Sequence, residues 1–467
     1  LTWSTIYNQL TSQFYRVTTD TRFPYQVYGT QQDNSSITVP SATEYGGIPW
    51  SHCYPVGTGE SGDIVVHPKD PNIAYVGAIG SSPGGNGVLQ RYDHRTRQLR
   101  LVNAWPEEYL GWAPKDLKYR FSWTYPILFS PHDPNVLYIA GNRIFRSTDE
   151  GNSWEAISPD LSRNDPSTLG PSGGPLTHDN SGAEGYGTVY AFAESPHEPG
   201  VFWAGSDDGL IHISRDNGDT WQDITPPDVE AFTLIGKIEV SPHATGTAWV
   251  AATRYKLDDN RPYLYLTEDY GQTWHNICAN FPQDEFTRVI REDPVRPGLL
   301  YVGTETGLYI SLDRGANWQR LQNNLPVVPI YDLLIKNDDL VAATHGRSFW
   351  ILDDLGPLRQ LQEEVTLSPA HLFAPGRTYC RWLNWDADLY QGPGLHYTLA
   401  LGAHAAFYEE KSPNGEPIRK LLDAGENPPQ GVIVYYILKD APAETIQLEF
   451  LYTDGASIKL FSSKTEE

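Results

Sequence analysis

An eight-residue pattern, [Ser/Thr]-x-Asp-x-Gly-x-[Ser/Thr/Asn]-Trp, recurs along the chain and constrains its fold more than any other feature. The copies span residues 147–154, 214–221, 267–274 and 311–318, and each follows a short apolar segment. Within the eight-residue pattern the Asp carboxylate can accept hydrogen bonds from backbone N–H groups, and Gly can adopt a positive φ without steric cost. The pattern therefore predicts a hairpin whose Trp begins the return strand and packs between neighbouring sheets.

We assign a structural role to the Asp, Gly and Trp that repeat in these four turns. They are Asp149, Gly151, Trp154, Asp216, Gly218, Trp221, Asp269, Gly271, Trp274, Asp313, Gly315 and Trp318. A second polar turn, rich in Pro and often containing His, lies upstream at residues 67–72, 130–135, 195–200 and 241–246, with a degenerate copy at 292–298. The histidines of these turns lack the i, i+2 or i, i+4 spacing of paired metal ligands, so we expect them to be turn residues.

Together the two turns define a unit of four strands, a to d, that repeats about every 45–65 residues, which is typical of a β-propeller. We count seven blades, at residues 14–41, 62–104, 121–160, 187–226, 234–280, 286–325 and 330–357. The last has only three recognisable strands. We hypothesise that residues 1–6 supply its fourth strand and close the ring; the alternative is that they are the remnant of an upstream propeller.

The repeat ends near residue 357, and a different pattern follows. Residues 358–380 read as a linker with a short helical stretch, and residues 381–467 contain alternating strands and a hairpin with an Asp454-Gly455 turn. The sequence thus predicts an all-β protein: a seven-bladed β-propeller with Asp-box hairpins over residues 1–357, followed by a small immunoglobulin-like β-sandwich that we expect to be incomplete.

Composition limits the partners. With 34 Lys and Arg against 58 Asp and Glu, the formal charge of −24 disfavours nucleic acid and anionic membrane surfaces. No apolar run is long enough to insert into a membrane. Because the chain begins at Leu1 and contains no Met, we expect any signal peptide to lie outside it. The three cysteines are far apart and predict buried free thiols, not a disulfide framework.

The four octads resemble the Asp-box, or bacterial neuraminidase, repeats of sialidases, xyloglucanases and sortilin-type receptors. Residues 158–166 and 344–354 make the chain most similar to bacterial proteins described as sortilin-like or as glycosyl hydrolases with Asp-box repeats. The resemblance implies the propeller fold and a secreted or cell-surface location. It says little about activity, because the name hydrolase in that family is largely inherited from the repeat.

The sequence departs from each of these relatives in its functional residues. Sialidases carry an Arg triad opened by Arg-Ile-Pro, and the nearest string is Arg22-Phe23-Pro24, without recognisable partners. Xyloglucanases place two Asp residues across a cleft between two propellers, whereas this chain holds one. The Cys-rich module of sortilin-type receptors is absent from the sequence.

Candidate ligand-binding residues lie in the b–c and d–a loops, which share one face of a propeller around its central channel. Long polar loops of this kind are often functional, and aromatic rings beside amides and charges suit sugar or peptide binding. The candidates are Gln32, Asp33, Trp112, Lys115, His178, Asp179, Arg254, Lys256, Arg261, Glu305, His345 and Arg347. The alternative interpretation is a solvated rim with an inter-blade salt-bridge network.

Catalysis would need two carboxylates on facing loops as general acid and base. The candidates are Asp207, Asp208, Asp258, Asp259, Asp179 and Glu184. We assign no metal or cofactor, although calcium held by Asp179 and Asn180 is an alternative. The favoured function is non-catalytic recognition of a glycan or protein, or self-association within a surface assembly. The alternative is a polysaccharide hydrolase that needs a second propeller from the same full-length protein.

Overall fold

The fold was analysed in a computed structural model. It describes residues 11–44, 47–78, 87–173, 176, 178–180, 185–379, 393–400, 403–411, 415, 417–422, 424–429 and 431–464. Seven antiparallel blade sheets follow one another between residues 18 and 352, six with strands hydrogen-bonded in the order a-b-c-d and the seventh, among the described residues, in the order a-b-c. The predicted all-β, seven-bladed propeller is therefore confirmed.

The first four blades have four strands each. Their strands a to d are Thr18–Thr19, Gln26–Gln31, Ser35–Pro40 and Tyr54–Pro55 in blade 1; Ile64–Val66, Ile73–Ala78, Val88–Asp93 and Gln98–Leu101 in blade 2; Ile127–Phe129, Leu137–Ala140, Ile144–Ser147 and Glu155–Ala156 in blade 3; and Val189–Glu194, Phe202–Ser206, Ile211–Ser214 and Gln222–Asp223 in blade 4. Strand d of blade 1 lies beyond the span predicted for that blade, because it follows a long connection without an Asp box.

Blades 5 and 6 repeat this order, and blade 7 has three strands among the described residues. The strands are Leu234–Val240, Ala248–Arg254, Asp259–Thr267 and His275–Asn276 in blade 5; Thr287–Glu292, Leu300–Thr304, Leu308–Ser311 and Gln319–Arg320 in blade 6; and Ile330–Lys336, Asp339–Thr344 and Phe349–Leu352 in blade 7. The predicted fourth strand of blade 7, residues 1–6, lies outside the described residues.

Apolar side chains fill the spaces between consecutive blades. Trp203 of blade 4 packs with Ile235 and Val250 of blade 5, and Trp249 of blade 5 packs with Ile290 and Val302 of blade 6. Strands a of blades 1, 2 and 3 contact one another in turn, as do strands a of blades 4, 5, 6 and 7, so they form the inner part of the propeller. The hydrophobic effect therefore acts mainly between blades and holds them side by side.

The ring closes between blades 1 and 7. The Phe14 ring stacks on Phe349 at a centroid distance of 3.6 Å, and the Phe14 N–H donates to the Thr344 carbonyl at 3.1 Å. Phe14 also joins an apolar cluster with Val27 of blade 1 and Val341 of blade 7. Residues just before strand a of blade 1 thus contribute to closure, whatever the placement of residues 1–6.

Each Asp box folds as the pattern predicts. In the first box, Asp149 accepts hydrogen bonds from the Ser147 hydroxyl at 2.9 Å and from the Ser153 N–H and hydroxyl at 2.9 and 2.6 Å. These bonds lower the pKa of Asp149, the Ser153 hydroxyl contributing most. Gly151 has φ of 83°, and Glu150 before it is also left-handed at 59°. The carboxylate therefore organises the turn, and Gly permits its backbone.

The Trp of each box connects its blade to the preceding one. Its indole N–H donates to a backbone carbonyl just after strand d of that preceding blade. The pairs are Trp154 to Val102 at 2.9 Å, Trp221 to Ile157 at 3.0 Å, Trp274 to Ile224 at 2.7 Å and Trp318 to Ile277 at 3.0 Å. We call these four contacts the indole latches.

Histidines of the upstream turns make a second set of connections, in the opposite direction along the chain. His132, His197 and His243 each place Nε2 within 2.7 to 3.1 Å of a carbonyl in the following blade, at Ser195, Ser241 and Asp293 respectively. His67 instead accepts N–H groups of its own turn through Nδ1. We call the three inter-blade contacts the imidazole latches.

Beyond residue 353 the described strands form small sheets. Strands Gly394–Ala400, Ala403–Lys411 and Pro417–Leu421 make one antiparallel sheet, and Ala424–Gly425 pairs with Ile48–Pro49 of the first compact unit, which comprises residues 1–353 and 381–428. The second unit comprises residues 354–380 and 429–467. The predicted immunoglobulin-like sandwich and its boundaries stay predictions.

The second unit contains two short helices and two strand pairs among its described residues. The helices are Gly356–Gln360 and Glu363–Leu367, where the sequence predicts a short helical stretch. Ala370–Leu372 pairs with Tyr436–Leu438, and Gln447–Leu451 pairs with Ser457–Ser462 through a turn in which Gly455 has φ of 85°. The predicted hairpin with its Asp454-Gly455 turn is therefore present.

Replacing Trp318 tests the indole latches. Trp318 is 8% exposed, so Trp318→Ala should lower the free energy of unfolding by about 3–5 kcal/mol through lost packing. Trp318→Phe keeps most of the ring and should cost about 1 kcal/mol, because only the hydrogen bond to Ile277 is lost. Trp112→Ala, at a Trp that is 54% exposed, is the control and should change stability by less than about 0.5 kcal/mol.

Denaturant unfolding followed by circular dichroism gives the three values. If Trp318→Phe did not lower the free energy of unfolding, the hydrogen bond to Ile277 would not stabilise the contact between blades, and the latch interpretation would be wrong.

Candidate functional site

A buried charge network joins the inner strands of several blades. Asp332 on strand a of blade 7 lies 3.0 Å from an Arg291 guanidinium nitrogen and 3.6 Å from the Lys237 ammonium. Arg291 also pairs with Glu239 at 2.7 Å. Three inner strands, of blades 5, 6 and 7, are thereby linked across the propeller.

Arg16 and Asp63 extend this network to blades 1 and 2 through their charges. Burial raises the pKa of Asp63, while Arg16 and Lys237 oppose the shift. Burial also lowers the pKa of Lys237 to about 8, with the Arg291 charge adding to the effect. Within the network Arg16, Lys237 and Arg291 balance Asp63, Glu239 and Asp332, so its formal charge is zero.

Burial alone would raise the pKa of Asp332, but the surrounding cations lower it instead, Lys237 first and then Arg291 and Arg16. Asp332 also accepts the Val17 N–H at 3.3 Å. This carboxylate is therefore the anion on which three buried cations depend, and its role is structural.

Four half-buried rings and one Arg form a second cluster, near the b–c and d–a loops, that we call the aromatic mouth. Its members are Tyr15, Tyr255, Arg288, Tyr331 and His345. The Tyr331 and His345 rings stack at 3.9 Å, and Tyr15 approaches them edge-on at 6.0 and 5.1 Å. The Arg288 guanidinium lies 4.2 Å from the centre of the Tyr331 ring and 5.1 Å from that of Tyr255. Blades 1, 5, 6 and 7 all contribute, so the cluster surrounds the channel on the b–c and d–a side.

Hydrogen bonds fix the orientation of the aromatic mouth. Arg288 donates to Glu305 from two nitrogens, at 2.9 and 2.5 Å, and Tyr15 donates to the Gln32 amide oxygen. His345 Nδ1 lies 3.1 Å from the Phe14 carbonyl, and its Nε2 lies beside the Gln13 amide. Burial lowers the pKa of His345. The imidazole is thus a neutral ring, with Nδ1 as its donor.

β-Bulges place two of these side chains, Arg288 and Tyr331. Strand a of blades 4, 5, 6 and 7 each carries one extra residue, at Tyr190, Gly236, Arg288 and Tyr331. A bulge re-aims the side chain at its site and is frequent next to functional sites. Sequence analysis missed Tyr15, Tyr255, Arg288 and Tyr331. The available signal was a large polar residue interrupting an apolar inner strand at the same point in several repeats.

Three of the predicted ligand-binding residues, Gln32, Glu305 and His345, meet at the aromatic mouth. Asp33 lies beside it in a left-handed turn, with its N–H donating to Glu60 at 3.1 Å. Arg347 is exposed in the turn after His345. The geometry therefore brings together predicted residues of blades 1, 6 and 7.

Other predicted residues lie apart from these rings. Trp112 and Lys115 are exposed in the connection between blades 2 and 3, and Lys256 is exposed in the b–c loop of blade 5. Arg254 pairs with Glu230 at 3.0 Å, and Arg261 is exposed beside Asp259. His178 and Asp179 form a short strand pair with Ser172–Gly173, and their side chains lie outside the description.

Three of the predicted catalytic carboxylates, Asp207, Asp208 and Asp259, already accept hydrogen bonds from backbone N–H, hydroxyl or Arg groups. Asp207 is buried and accepts the Thr188 N–H and hydroxyl at 2.9 and 2.8 Å; burial raises its pKa to about 7. Asp208 accepts the Arg163 N–H at 2.8 Å and the Ser206 hydroxyl at 2.6 Å. Both carboxylates anchor the connection that enters blade 4.

In blade 5 the carboxylates also have local partners. Asp259 accepts two hydrogen bonds from Arg261, at 3.0 and 2.7 Å, and these hold its pKa well below the usual range. Asp258 is an exposed turn residue with φ of 60°. Glu184 lies outside the described residues. A carboxylate paired in this way is a poor general acid, because a general acid must be protonated at the working pH.

Among the residues that the structure describes, no group of three or more His, Cys, Asp or Glu side chains is arranged to hold a metal ion. The Asn180 amide oxygen, considered above as a calcium ligand, accepts the Ser172 N–H at 3.2 Å. Calcium binding stays an untested alternative. Cys53 and Cys278 are free thiols whose pKa values burial raises, and Cys380 lies outside the description.

Comparison with known proteins supports the resemblance seen in the sequence. Residues 209–347 match the family model described as sortilin, neurotensin receptor 3. The chain is 23% identical over 250 residues to a probable oligoxyloglucan-reducing end-specific xyloglucanase of Neosartorya fischeri, covering 48% of this chain and 28% of that protein. The chain thus spans less than a third of that relative's length.

Among solved structures, a xyloglucanase supports the same fold. A xyloglucanase from Xanthomonas campestris matches with a TM-score of 0.52 at 15% identity, covering 74% of this chain and 52% of that one. The extracellular domain of a one component system from B. thetaiotaomicron matches with a TM-score of 0.49 at 11% identity, covering 88% of this chain and 46% of that one. The sequence resemblance to Asp-box propellers is confirmed, at the level of fold. No described helix is long and apolar enough to cross a membrane.

Exchanging Asp332 tests the charge network. Asp332→Asn leaves Arg16, Lys237 and Arg291 with one anion fewer and should lower the free energy of unfolding by about 3–5 kcal/mol. Adding Lys237→Met removes one buried cation, restores the balance of charges and should recover part of that loss. Asp284→Asn, at an exposed carboxylate, is the control.

Thermal and denaturant midpoints of the single and double variants measure this coupling. Additive effects of the two substitutions would contradict a shared network, since independent sites add.

Proposed function

We propose that the propeller is a recognition module that binds a glycan or protein ligand at the aromatic mouth. The observation that carries this proposal is the cluster of half-buried rings, with a guanidinium and a carboxylate beside them, at the open end of the channel. Ligand sites typically combine such ring surfaces with a few convergent polar groups. Because stacking and hydrogen bonds already hold these rings in place, they lose little entropy when a ligand packs against them.

The chemistry of the mouth suits two ligand types. The half-buried rings of Tyr15, Tyr255 and His345 keep part of their surface exposed, and the C–H face of a sugar or an apolar peptide side chain can pack against it. The Arg288 and Glu305 pair offers donors and acceptors that orient hydroxyl or amide groups. The likeness to sortilin favours a peptide, and the likeness to xyloglucanases favours a polysaccharide. Both occupants are consistent with a secreted or cell-surface protein, the location that we propose.

The second candidate function is polysaccharide hydrolysis, in which the pair Asp207 and Asp208 supplies the acid and base. The raised pKa of Asp207 favours it, because a general acid must hold its proton near neutral pH. Against it, Thr188 occupies both oxygens of Asp207. A relative's active site between two propellers would also need residues from outside this chain.

Tyr331→Ala is the test of the recognition proposal. Immobilised polysaccharides and a displayed peptide library are presented to the protein, and retained ligands are measured by biolayer interferometry. Loss of an aromatic anchor should weaken binding by about 2 kcal/mol, or about thirtyfold. Tyr270→Ala, at an Asp-box Tyr on the opposite face, is the matched control and should bind normally. Circular dichroism verifies that both variants fold.

The same polysaccharides, incubated with the protein and analysed by mass spectrometry, distinguish the second candidate. New oligosaccharides that disappear in an Asp207→Asn, Asp208→Asn, Asp258→Asn, Asp259→Asn variant would establish hydrolysis and reject the non-catalytic proposal. Binding without cleavage, lost in Tyr331→Ala, would support recognition.

A further inference from the structure

Arg16 carries a buried guanidinium without a hydrogen-bond partner. The residue is 6% exposed, and its guanidinium makes no hydrogen bond or ion pair within the part of the chain that the structure describes. The guanidinium nitrogens nevertheless keep accessible surface, so a small molecule beside them can reach them. An Arg side chain carries several N–H donors, and buried donors in proteins are normally paired. A partner from outside the described side chains is therefore expected.

Contacts across the ring place this guanidinium in the propeller channel. Arg16 precedes strand a of blade 1, and its guanidinium carbon lies 5.2 Å from the centre of the Tyr190 ring on strand a of blade 4. Burial alone would lower the pKa of Arg16, but Tyr190, Asp332 of blade 7 and Asp63 beside blade 2 raise it instead. Groups from four blades can surround one side chain in this way only near the channel axis.

Lys237, on strand a of blade 5, is a second cation in the channel. Its ammonium lies 3.6 Å from Asp332, beyond hydrogen-bond distance, and it has no other ion pair among the described residues. The side chain is 20% exposed, so the ammonium can also be reached. Burial lowers the pKa of Lys237 to about 8, and the charges of Arg291 and Arg16 add to this effect. An anion beside the ammonium would oppose all three contributions.

The carboxylates around these two cations already have partners. Arg291 pairs with Glu239 at 2.7 Å and with Asp332 at 3.0 Å. Asp63 accepts two backbone N–H groups, at 2.9 and 3.5 Å. Among the described residues Arg291 is thus paired with two carboxylates, whereas Arg16 is paired with none. The hydrogen-bonding capacity that remains near the channel axis is mainly that of cationic donors.

This imbalance determines which occupant fits. A cation would be repelled by Arg16 and Lys237, and a hydroxyl-rich neutral molecule would bring donors whose acceptors are already engaged. An oxyanion brings acceptors alone, and a planar guanidinium can donate to two of its oxygens at once while an ammonium acts as a point charge. The network is neutral as a whole, and burial raises the pKa of Asp63, so a proton taken up there can offset the added charge.

We propose that Arg16 and Lys237 form an anion site in the propeller channel, which binds one small oxyanion, such as a carboxylate or a phosphate, between blades 1 and 5. The site uses none of the residues of the aromatic mouth, so it does not rest on the function proposed for that region. The bound anion completes the pairing of the buried charges, which the protein side chains leave unequal.

Isothermal titration calorimetry tests this proposal on the full chain with acetate, phosphate and sulfate at millimolar concentrations, each compared with chloride at the same ionic strength. At least one oxyanion should bind saturably and about tenfold or more tightly than chloride. Because the whole chain carries a formal charge of −24, anions are repelled overall, and saturable binding indicates a local group of cations. Arg16→Gln and Lys237→Gln should each weaken this binding about tenfold or more, since each removes a charge-assisted contact.

Arg314→Gln is the matched control. Arg314 is half-exposed in an Asp-box turn, where it pairs with Glu268, and its loss should leave anion binding as in the wild type. Arg16→Lys keeps the charge but removes the planar pair of donors, so it should bind with intermediate affinity. This variant also replaces Arg16→Gln if the latter does not fold, and circular dichroism verifies the folding of every variant.

Absence of saturable binding for all three oxyanions would overturn the proposal. Binding that is unchanged in either Arg16→Gln or Lys237→Gln would also overturn it, because the anion would then lie elsewhere. Chloride binding as tight as that of the oxyanions would contradict the predicted preference for paired oxygens and would reject the site as described.

Discussion

Contact between neighbouring blades is the interaction on which the rest of this structure depends. A single four-stranded sheet has two faces, and strands as short as Gln222–Asp223 could not stabilise it alone. Each blade buries both faces against its neighbours, and closure between Phe14 and Phe349 gives the first and last blades the same protection. The indole and imidazole latches add directional contacts to this apolar packing. The indole latches connect blades 3 to 6 to the blade before each, and the imidazole latches connect blades 3 to 5 to the blade after each.

The aromatic mouth is a product of that closure. Tyr15 and Gln32 come from the first blade and His345 from the last, and they are adjacent only because the ring is closed. The buried charges beneath them are likewise collected from five inner strands. Candidate ligand-binding residues therefore lie where blades 1 and 7 meet, so the proposed binding would depend on closure of the ring.

Features whose interacting residues lie close together in the sequence could be predicted, and features whose partners lie far apart in the chain could not. The Asp-box turns are local, since Asp149 contacts residues within four positions, and they were predictable with their roles. Strand d of blade 1 follows a connection without that motif, and its position was missed.

The functional residues were harder to predict because they depend on distances between blades. In the sequence Asp207 and Asp208 look like a catalytic pair, because their partners Thr188 and Arg163 lie 19 and 45 residues away and cannot be recognised as such. Tyr331 and Arg288 read as ordinary strand residues until a bulge brings them to the channel. The sequence analysis named the loops that carry Gln32, Glu305 and His345, but not the inner-strand residues Arg288 and Tyr331 that lie beside them.

The latches also divide the propeller into two faces of different character. The side chain of every indole and imidazole latch starts from an a–b or c–d turn. Some b–c loops on the other side also hold blades together: that of blade 4 accepts Arg163 through Asp208, and that of blade 7 accepts and donates hydrogen bonds at the closure. The tip of the blade 5 loop, residues 256–258, is exposed. Loop grafting should therefore be tolerated better at that tip than at the b–c loops of blades 4 and 7.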